Sequence, residues 1–136
     1  MHTKPFIIEN DIEWAELDLF GHVNNVAFFF YMQKARLKFC EYLGLTSLNE
    51  SGKNGFIVAS SHCDFLKPLF YPGTIQLKVN VEAINNSSFV LQYQIINQHF
   101  ELAANAKDVL VVFDYQKREK VLMDESIRKK LSLYQV

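Results

Sequence analysis

No helix breaker interrupts the chain between Asn24-Asn25 and Gly44. Asparagine caps helix starts and glycine ends them, so this stretch predicts a helix from Asn25 to Leu43 with Gly44 as its C-cap. Phe28, Met32, Ala35, Phe39 and Tyr42/Leu43 recur at three- and four-residue spacings and share one face. Lys34, Lys38 and Glu41 gather on the other. Val26, Phe29, Phe30 and Cys40 spread apolar surface well beyond that stripe, and the first half is apolar almost all round. A helix of this kind has to be wrapped by other elements rather than laid on a surface. Arg36 falls beside the apolar stripe and is expected to be partly buried and paired.

The wrapping comes from strands. Ile75, Leu77, Val79, Val81 and Ala83 alternate with Thr74, Gln76, Lys78, Asn80 and Glu82, the period of a half-buried strand. Asn85-Asn86-Ser87 reads as a turn, after which Phe89, Leu91, Tyr93 and Ile95 alternate again, an antiparallel hairpin. Residues 6–16 read as a first strand, Phe56 to Phe65 as another that ends near Lys67-Pro68, and Leu102 to Tyr115 as a long one. Val109 to Phe113 is apolar on both faces, which puts that strand inside the sheet or against a partner subunit. Asp124-Glu125-Ser126 caps a short terminal helix through about Leu133. One helix followed by a run of strands is the α+β pattern with an antiparallel sheet.

The 136 residues are the length of one domain, taken here as 1–136. A hydrophobic share of 49% against 21% charged excludes disorder. The net charge of -1 gives no basic field for nucleic acid or an anionic membrane. Two cysteines, Cys40 and Cys63, are no disulfide scaffold and fit a reducing cytoplasm. The acidic N-terminal stretch is too short and too acidic for a signal peptide. The longest apolar run, Val26 to Met32, is far below the ~20 residues of a membrane span. No metal-ligand spacing, phosphate loop or dinucleotide fingerprint occurs, so no cofactor is expected. His62 and Cys63 are adjacent on a strand and point to opposite faces, which rejects a Cys–His nucleophile.

The segment Asp18-Leu19-Phe20-Gly21-His22-Val23-Asn24-Asn25 resembles the opening motif of the hotdog-fold acyl-CoA thioesterases, in the 4-hydroxybenzoyl-CoA thioesterase-like branch that includes bacterial long-chain acyl-CoA thioesterases. The resemblance continues in order through Ala35-Arg36, Leu43-Gly44-Leu45, Phe65-Leu66-Lys67-Pro68-Leu69, Tyr71-Pro72-Gly73-Thr74, Ser87-Ser88-Phe89 and Val111-Val112-Phe113-Asp114. It covers nearly the whole chain. It implies a hotdog fold, an antiparallel sheet wrapped around one long central helix. It also implies homodimers, often paired into homotetramers, with active sites at the dimer interface. Two departures stand out: Gln33 and Lys34 replace acidic residues common before the Ala-Arg pair, and Phe28 stands where a Tyr is common.

Thioester hydrolysis needs a base or nucleophile at the carbonyl carbon and a donor for the oxyanion. By the resemblance, Asp18 takes the first role, as nucleophile or as base toward water; as a lone Asp-x-x-Gly it would be a turn former. The donor is expected at the helix start, where the first N–H groups lack internal partners. The N–H of Asn25 or Val26 points out there, and the resemblance selects Asn25. The side chains of Asn24 and Asn25 serve equally as caps or as substrate contacts. Gly21 lets the chain turn tightly beside the substrate. Histidine is a common general base, but His22 is assigned to positioning, since Asp18 supplies the base. Phe28, Phe29, Met32 and Tyr31 are the candidate wall of an apolar acyl or aryl pocket, or plain core. Lys67 and Lys78 are candidates for coenzyme A phosphates, or plain surface charge. The resemblance further implies pantetheine contacts at the hairpin turn, with Ser87 and Ser88. The expected activity is hydrolysis of a fatty or aromatic acyl-CoA. An acyl-carrier-protein substrate and a non-catalytic acyl-CoA-binding domain are the alternatives.

Overall fold

The computed structural model describes residues 4–46 and 54–136. Helix α1 spans Asn25–Leu43. The Asn24 side chain caps its start by accepting the Val26 N–H. Gly44 ends it at φ 82°, where the Gly44 N–H reaches Glu41 and the Leu45 N–H reaches Cys40. That double bond is a Schellman ending, and it requires the left-handed conformation that glycine adopts without strain.

Strands β1 (Phe6–Asp11), β2 (Asn54–Phe65), β3 (Thr74–Ile84), β4 (Ser88–Ile96) and β5 (Leu102–Asp114) form one sheet in the order β1-β3-β4-β5-β2. A two-residue strand β6 (Glu119–Lys120) pairs with β5. Neighbours along the path are all antiparallel. The first strand is shorter than expected: beyond Asp11 the chain leaves the sheet, and a 3-10 turn forms at Trp14–Glu16. Strand β5 lies between β4 and β2, the interior position that its two-sided apolar run predicts. The short β6 carries no alternation to announce it. Helix α2 (Glu125–Ser132) starts on the Asp124 cap and docks Ile127 and Leu131 into the core.

The inner sheet face supplies Ile75, Leu77, Val79 and Val81 from β3, Phe89, Leu91, Tyr93 and Ile95 from β4, and Ala104, Ala106, Leu110 and Val112 from β5. Against it α1 buries Ala27, Phe28, Tyr31, Met32, Ala35, Phe39, Cys40 and Leu43. The buried arc thus includes Tyr31 and Cys40, beside the expected stripe. Lys34, Lys38 and Glu41 are exposed. A cluster of Phe6, Phe39, Tyr42 and Tyr134 closes the far end of the helix, with Phe6–Phe39 centroids at 5.2 Å and Phe39–Tyr134 at 5.4 Å. The result is a long helix held in an antiparallel sheet, the hotdog arrangement.

Arg36 is paired as expected. Its Nη1 donates to Asp108 Oδ2 at 2.8 Å, with the arginine side chain 15% exposed and Asp108 fully buried. Tyr93 donates its hydroxyl to the same oxygen at 2.7 Å, and Ser61 donates to Oδ1 at 2.6 Å.

Candidate active site

The chain between the 3-10 turn and α1 folds back on itself as a miniature hairpin. Leu17 and Val23 form an antiparallel bridge, the Asp18 N–H donates to the His22 carbonyl at 2.7 Å, and the Gly21 N–H returns to the Asp18 carbonyl. Gly21 sits at φ 80°, so it supplies the turn assigned to it. The hairpin is tied down at its base, where the Asn24 N–H donates to the Glu16 carbonyl at 2.8 Å. It is tied at its side by the Val23 N–H donating to Leu69.

Asp18 is half-buried on this hairpin. Its Oδ1 accepts the backbone N–H groups of Phe20 (2.8 Å) and His22 (3.2 Å). The turn uses only one of the two oxygens: Oδ1 is occupied, and Oδ2 has no hydrogen-bond partner among the described residues. The His22 imidazole packs edge-on against Phe70, with centroids 5.1 Å apart at 90°. That contact holds the ring against the neighbouring loop.

The helix start distinguishes between the two candidate amides. The Val26 N–H is consumed by Asn24 Oδ1 at 3.0 Å, and the Ala27 N–H donates to the Asn24 carbonyl at 2.9 Å. Asn25 is the first helical residue, and its N–H has no partner among the described residues. Val26 is thereby corrected as a donor: the cap that starts the helix uses its N–H, and its side chain faces a separate depression shared with Asn24, Ala27 and Phe30. The Asn24 side chain is a cap.

Asp18, His22 and Asn25 open onto one cleft of about 390 Å³, whose other lining residues are Val23, Phe28, Phe65, Leu66, Lys67 and Pro68. Phe28 is 3% exposed and meets Phe65 edge-to-face at 5.1 Å. Phe29 reaches the same ring at 6.3 Å, so it buttresses the wall from behind. A smaller cavity of about 80 Å³ lies beyond the Phe70–Gly73 loop, between Ile12, Leu69 and Asn97. It offers neither a carboxylate nor a helix start.

Several expected contacts lie elsewhere. Met32 and Tyr31 are fully buried in the core, because both turn toward the sheet. Ser87 and Ser88 stand at the β3–β4 turn. In register, Phe65 faces Ala104, which faces Ile95, whereas Ser88 faces Val111. Seven residues of β4 separate those rows, about 23 Å along the strand, so the hairpin serines do not join this cleft within one chain. Lys78 pairs with Ile7 and Gln94 in the middle of the sheet, away from the cleft. Lys67 does line the cleft, but its ammonium is bonded to Glu101, which also accepts from Asn97. The lysine pair and the Asn97 amide hold the exposed Glu101 carboxyl below its ordinary range.

The Cys–His pairing fails as expected: His62 bonds outward to Asp64, and burial raises the Cys63 thiol to about 11. Cys40, buried on the sheet-facing side of α1, is raised to about 12. No group of metal-binding side chains occurs among the described residues. Sequence reasoning missed Val23, Phe65, Leu66 and Pro68 as cleft residues. The available signal was an aromatic closing a strand immediately before Leu-Lys-Pro.

Comparison with known proteins gives this geometry a family. The model of the thioesterase-like superfamily matches residues 12–131. The uncharacterized protein YsmA of Bacillus subtilis (strain 168) is 31% identical over 88 residues, which are 65% of this chain and 58% of that protein; the match thus spans little more than half of that relative's length. Among solved structures, the PA2801 protein of Pseudomonas aeruginosa is 26% identical with a TM-score of 0.82, over 90% of this chain and 95% of that one. The DHNA-CoA thioesterase of Staphylococcus aureus shares the fold at 23% identity and a TM-score of 0.80, over 94% and 87% of the two chains. With a family match over most of its length and the hotdog architecture around its helix, the chain belongs to the thioesterase-like superfamily.

Proposed function

We propose that this protein is an acyl-CoA thioesterase in which Asp18 and the Asn25 N–H form the two halves of the reaction centre. The observation that carries the reading is their placement. Among the described residues, a carboxylate with one unpartnered oxygen and a helix-start amide without a partner line the same cleft. The thioester carbonyl accepts from the Asn25 N–H, which the aligned peptide dipoles of α1 reinforce. The Asp18 carboxylate then takes a proton from water as the water oxygen bonds to the carbonyl carbon, or it bonds to that carbon itself. In the first course the tetrahedral intermediate expels the thiolate, which recovers the proton from Asp18. In the second, the C–S bond breaks and the thiolate departs as the acyl-aspartyl anhydride forms; water then cleaves the anhydride to the free acid and the Asp18 carboxylate, and the proton that water gives up neutralises the thiolate. The acyl group lies against Phe28 and Phe65. Superfamily membership and the fold shared with a DHNA-CoA thioesterase support a thioester of coenzyme A as substrate.

Two copies complete the enzyme. Among the described residues, strand β2 ends the sheet path with its outer edge unpaired, and Val26, Phe30 and Leu37 expose apolar surface along α1. Both are features that association covers. We assign the Ser87–Ser88 turn to the cleft of the second copy in a dimer, because the family resemblance puts pantetheine contacts at this turn and its own cleft lies about 23 Å away along the strand.

Steady-state hydrolysis of acyl-CoAs of several chain lengths and aromatic types, with Asp18→Asn and His22→Gln beside the wild type, tests the reading. Asp18→Asn should lose about 10²–10⁴-fold in kcat with KM little changed, and His22→Gln should lose far less. A near wild-type kcat in Asp18→Asn refutes the mechanism. A larger loss in His22→Gln moves the base to the histidine.

A further inference from the structure

The two halves of the proposed centre stand on different elements, Asp18 on the hairpin and Asn25 on α1, so something must fix one against the other. The main-chain bond from Asn24 to Glu16 closes the hairpin at its base. The Glu16 side chain reaches further. Its Oε1 accepts the Glu13 N–H at 2.8 Å, closing the 3-10 turn, and accepts the Tyr31 hydroxyl at 2.7 Å. Tyr31 is fully buried on the second turn of α1, about 9 Å along the axis from Asn25. Helical side chains slant toward the N-terminus, which brings its hydroxyl back toward the hairpin base. One carboxylate oxygen thus binds the base of the catalytic hairpin to the helix that carries the carbonyl donor.

We propose that Glu16 and Tyr31 are positioning residues, a joint that sets the Asp18 carboxylate at its working distance from the Asn25 N–H. The inference rests on the roles proposed for Asp18 and Asn25. Burial, followed by the Glu16 bond, raises the tyrosine well above its ordinary range, so the hydroxyl stays protonated and donates throughout any practical assay. Neither residue lines the cleft, and Tyr31 meets its wall only through the Phe28 ring, with centroids 6.1 Å apart. A displacement of about 1 Å at a reacting group can cost 10²-fold in rate.

The test uses Tyr31→Phe, Glu16→Ala and Glu16→Gln in the full chain, each with and without Asp18→Asn. Tyr31→Phe deletes only the hydroxyl and should lower kcat by about 10- to 100-fold with KM unchanged. Glu16→Ala, at the half-buried end of the joint, should do the same and serves if Tyr31→Phe fails to fold. Glu16→Gln keeps an acceptor oxygen and should recover most of the activity lost in Glu16→Ala. In the Asp18→Asn background, Tyr31→Phe should cost much less, because a misplaced but already inert side chain loses nothing more. Wild-type kcat in Tyr31→Phe alongside an inactive Asp18→Asn overturns the joint and leaves the proposed reaction standing. A loss of equal size in both backgrounds, or one that tracks melting temperature across all variants, reduces the pair to ordinary stability and also overturns it. Full activity in Asp18→Asn itself removes the mechanism and the joint together.

Discussion

Asp108 is the deepest charge described in this protein, and removing Arg36 tests what that charge needs. The carboxylate is fully buried and is held by three donors: Arg36 at 2.8 Å, Tyr93 at 2.7 Å and Ser61 at 2.6 Å. Arg36→Ala leaves a buried anion with two neutral donors. Breaking one side of a buried ion pair costs about 3–5 kcal/mol, and the two surviving bonds hold the value near the lower end, about 3 kcal/mol. That is a large share of a total stability of about 5–15 kcal/mol. For a chain of this length it corresponds to a fall in melting temperature of about 10 °C. Lys34→Ala and Lys38→Ala, on the exposed face of the same helix, should stay within about 0.5 kcal/mol. Urea unfolding at one fixed protomer concentration provides the comparison, since association would otherwise shift the midpoints. Ser61→Ala combined with Arg36→Ala should be non-additive, because both donors serve one carboxylate. If all three single helix variants unfold at the same urea concentration, the network adds nothing and the reasoning is wrong.

Two further outcomes follow from the charges beside the sheet. Cys63 is half-exposed, yet burial and Asp64 raise its thiol to about 11. At pH 8 its alkylation by iodoacetamide, followed by mass spectrometry, should be slower than that of a free thiol and should accelerate as pH approaches that value; rapid labelling at neutral pH would contradict the burial. Glu101 neutralises Lys67 at the cleft. Its carboxyl is held low, so the pairing persists above its ordinary range and is lost as pH falls through the lowered value. Glu101→Gln frees the ammonium, and KM for an acyl-CoA should fall at low salt and return toward wild type at high salt; an unchanged KM at every ionic strength would show that Lys67 stays clear of the coenzyme A phosphates.

Local pattern made the framework readable. The caps at Asn24 and Gly44 bound α1, the alternation from Thr74 to Ile95 marks the hairpin, and the two-sided run at Val109 to Phe113 places β5 inside the sheet. Arg36 was legible as a buried pair because it breaks the stripe, but its partner was not. Asp108 lies seventy-two residues away, and only sheet register brings it under the helix. The same limit governs the site. Asp18, His22 and Asn25 fall within one short motif, so sequence presents them together. Phe65, Leu66 and Pro68 reach the cleft because β2 pairs with β5 and delivers its end beside α1. The assignments of Met32, Ser87 and Ser88 to the substrate site drew on helical proximity or on the resemblance, and neither specifies depth or distance in a single chain.

The hairpin also explains how a carboxylate and an unpartnered helix-start amide, the two groups of the proposed reaction, can share one helix end. The positive end of α1 attracts any nearby anion, and an unconstrained Asp18 would fold onto the Asn25 N–H and block it. Two competing donors prevent this. The Phe20 and His22 amides, presented by the left-handed turn at Gly21, hold Oδ1 within the hairpin. The Asn24 side chain meanwhile spends itself on the Val26 N–H, one residue further along. Among the described residues, one carboxylate oxygen and one amide on the same cleft of about 390 Å³ remain uncommitted. The capping and turn residues of this segment thus do more than begin a helix: by consuming the neighbouring donors and acceptors, they leave uncommitted the two atoms on which the proposed reaction rests.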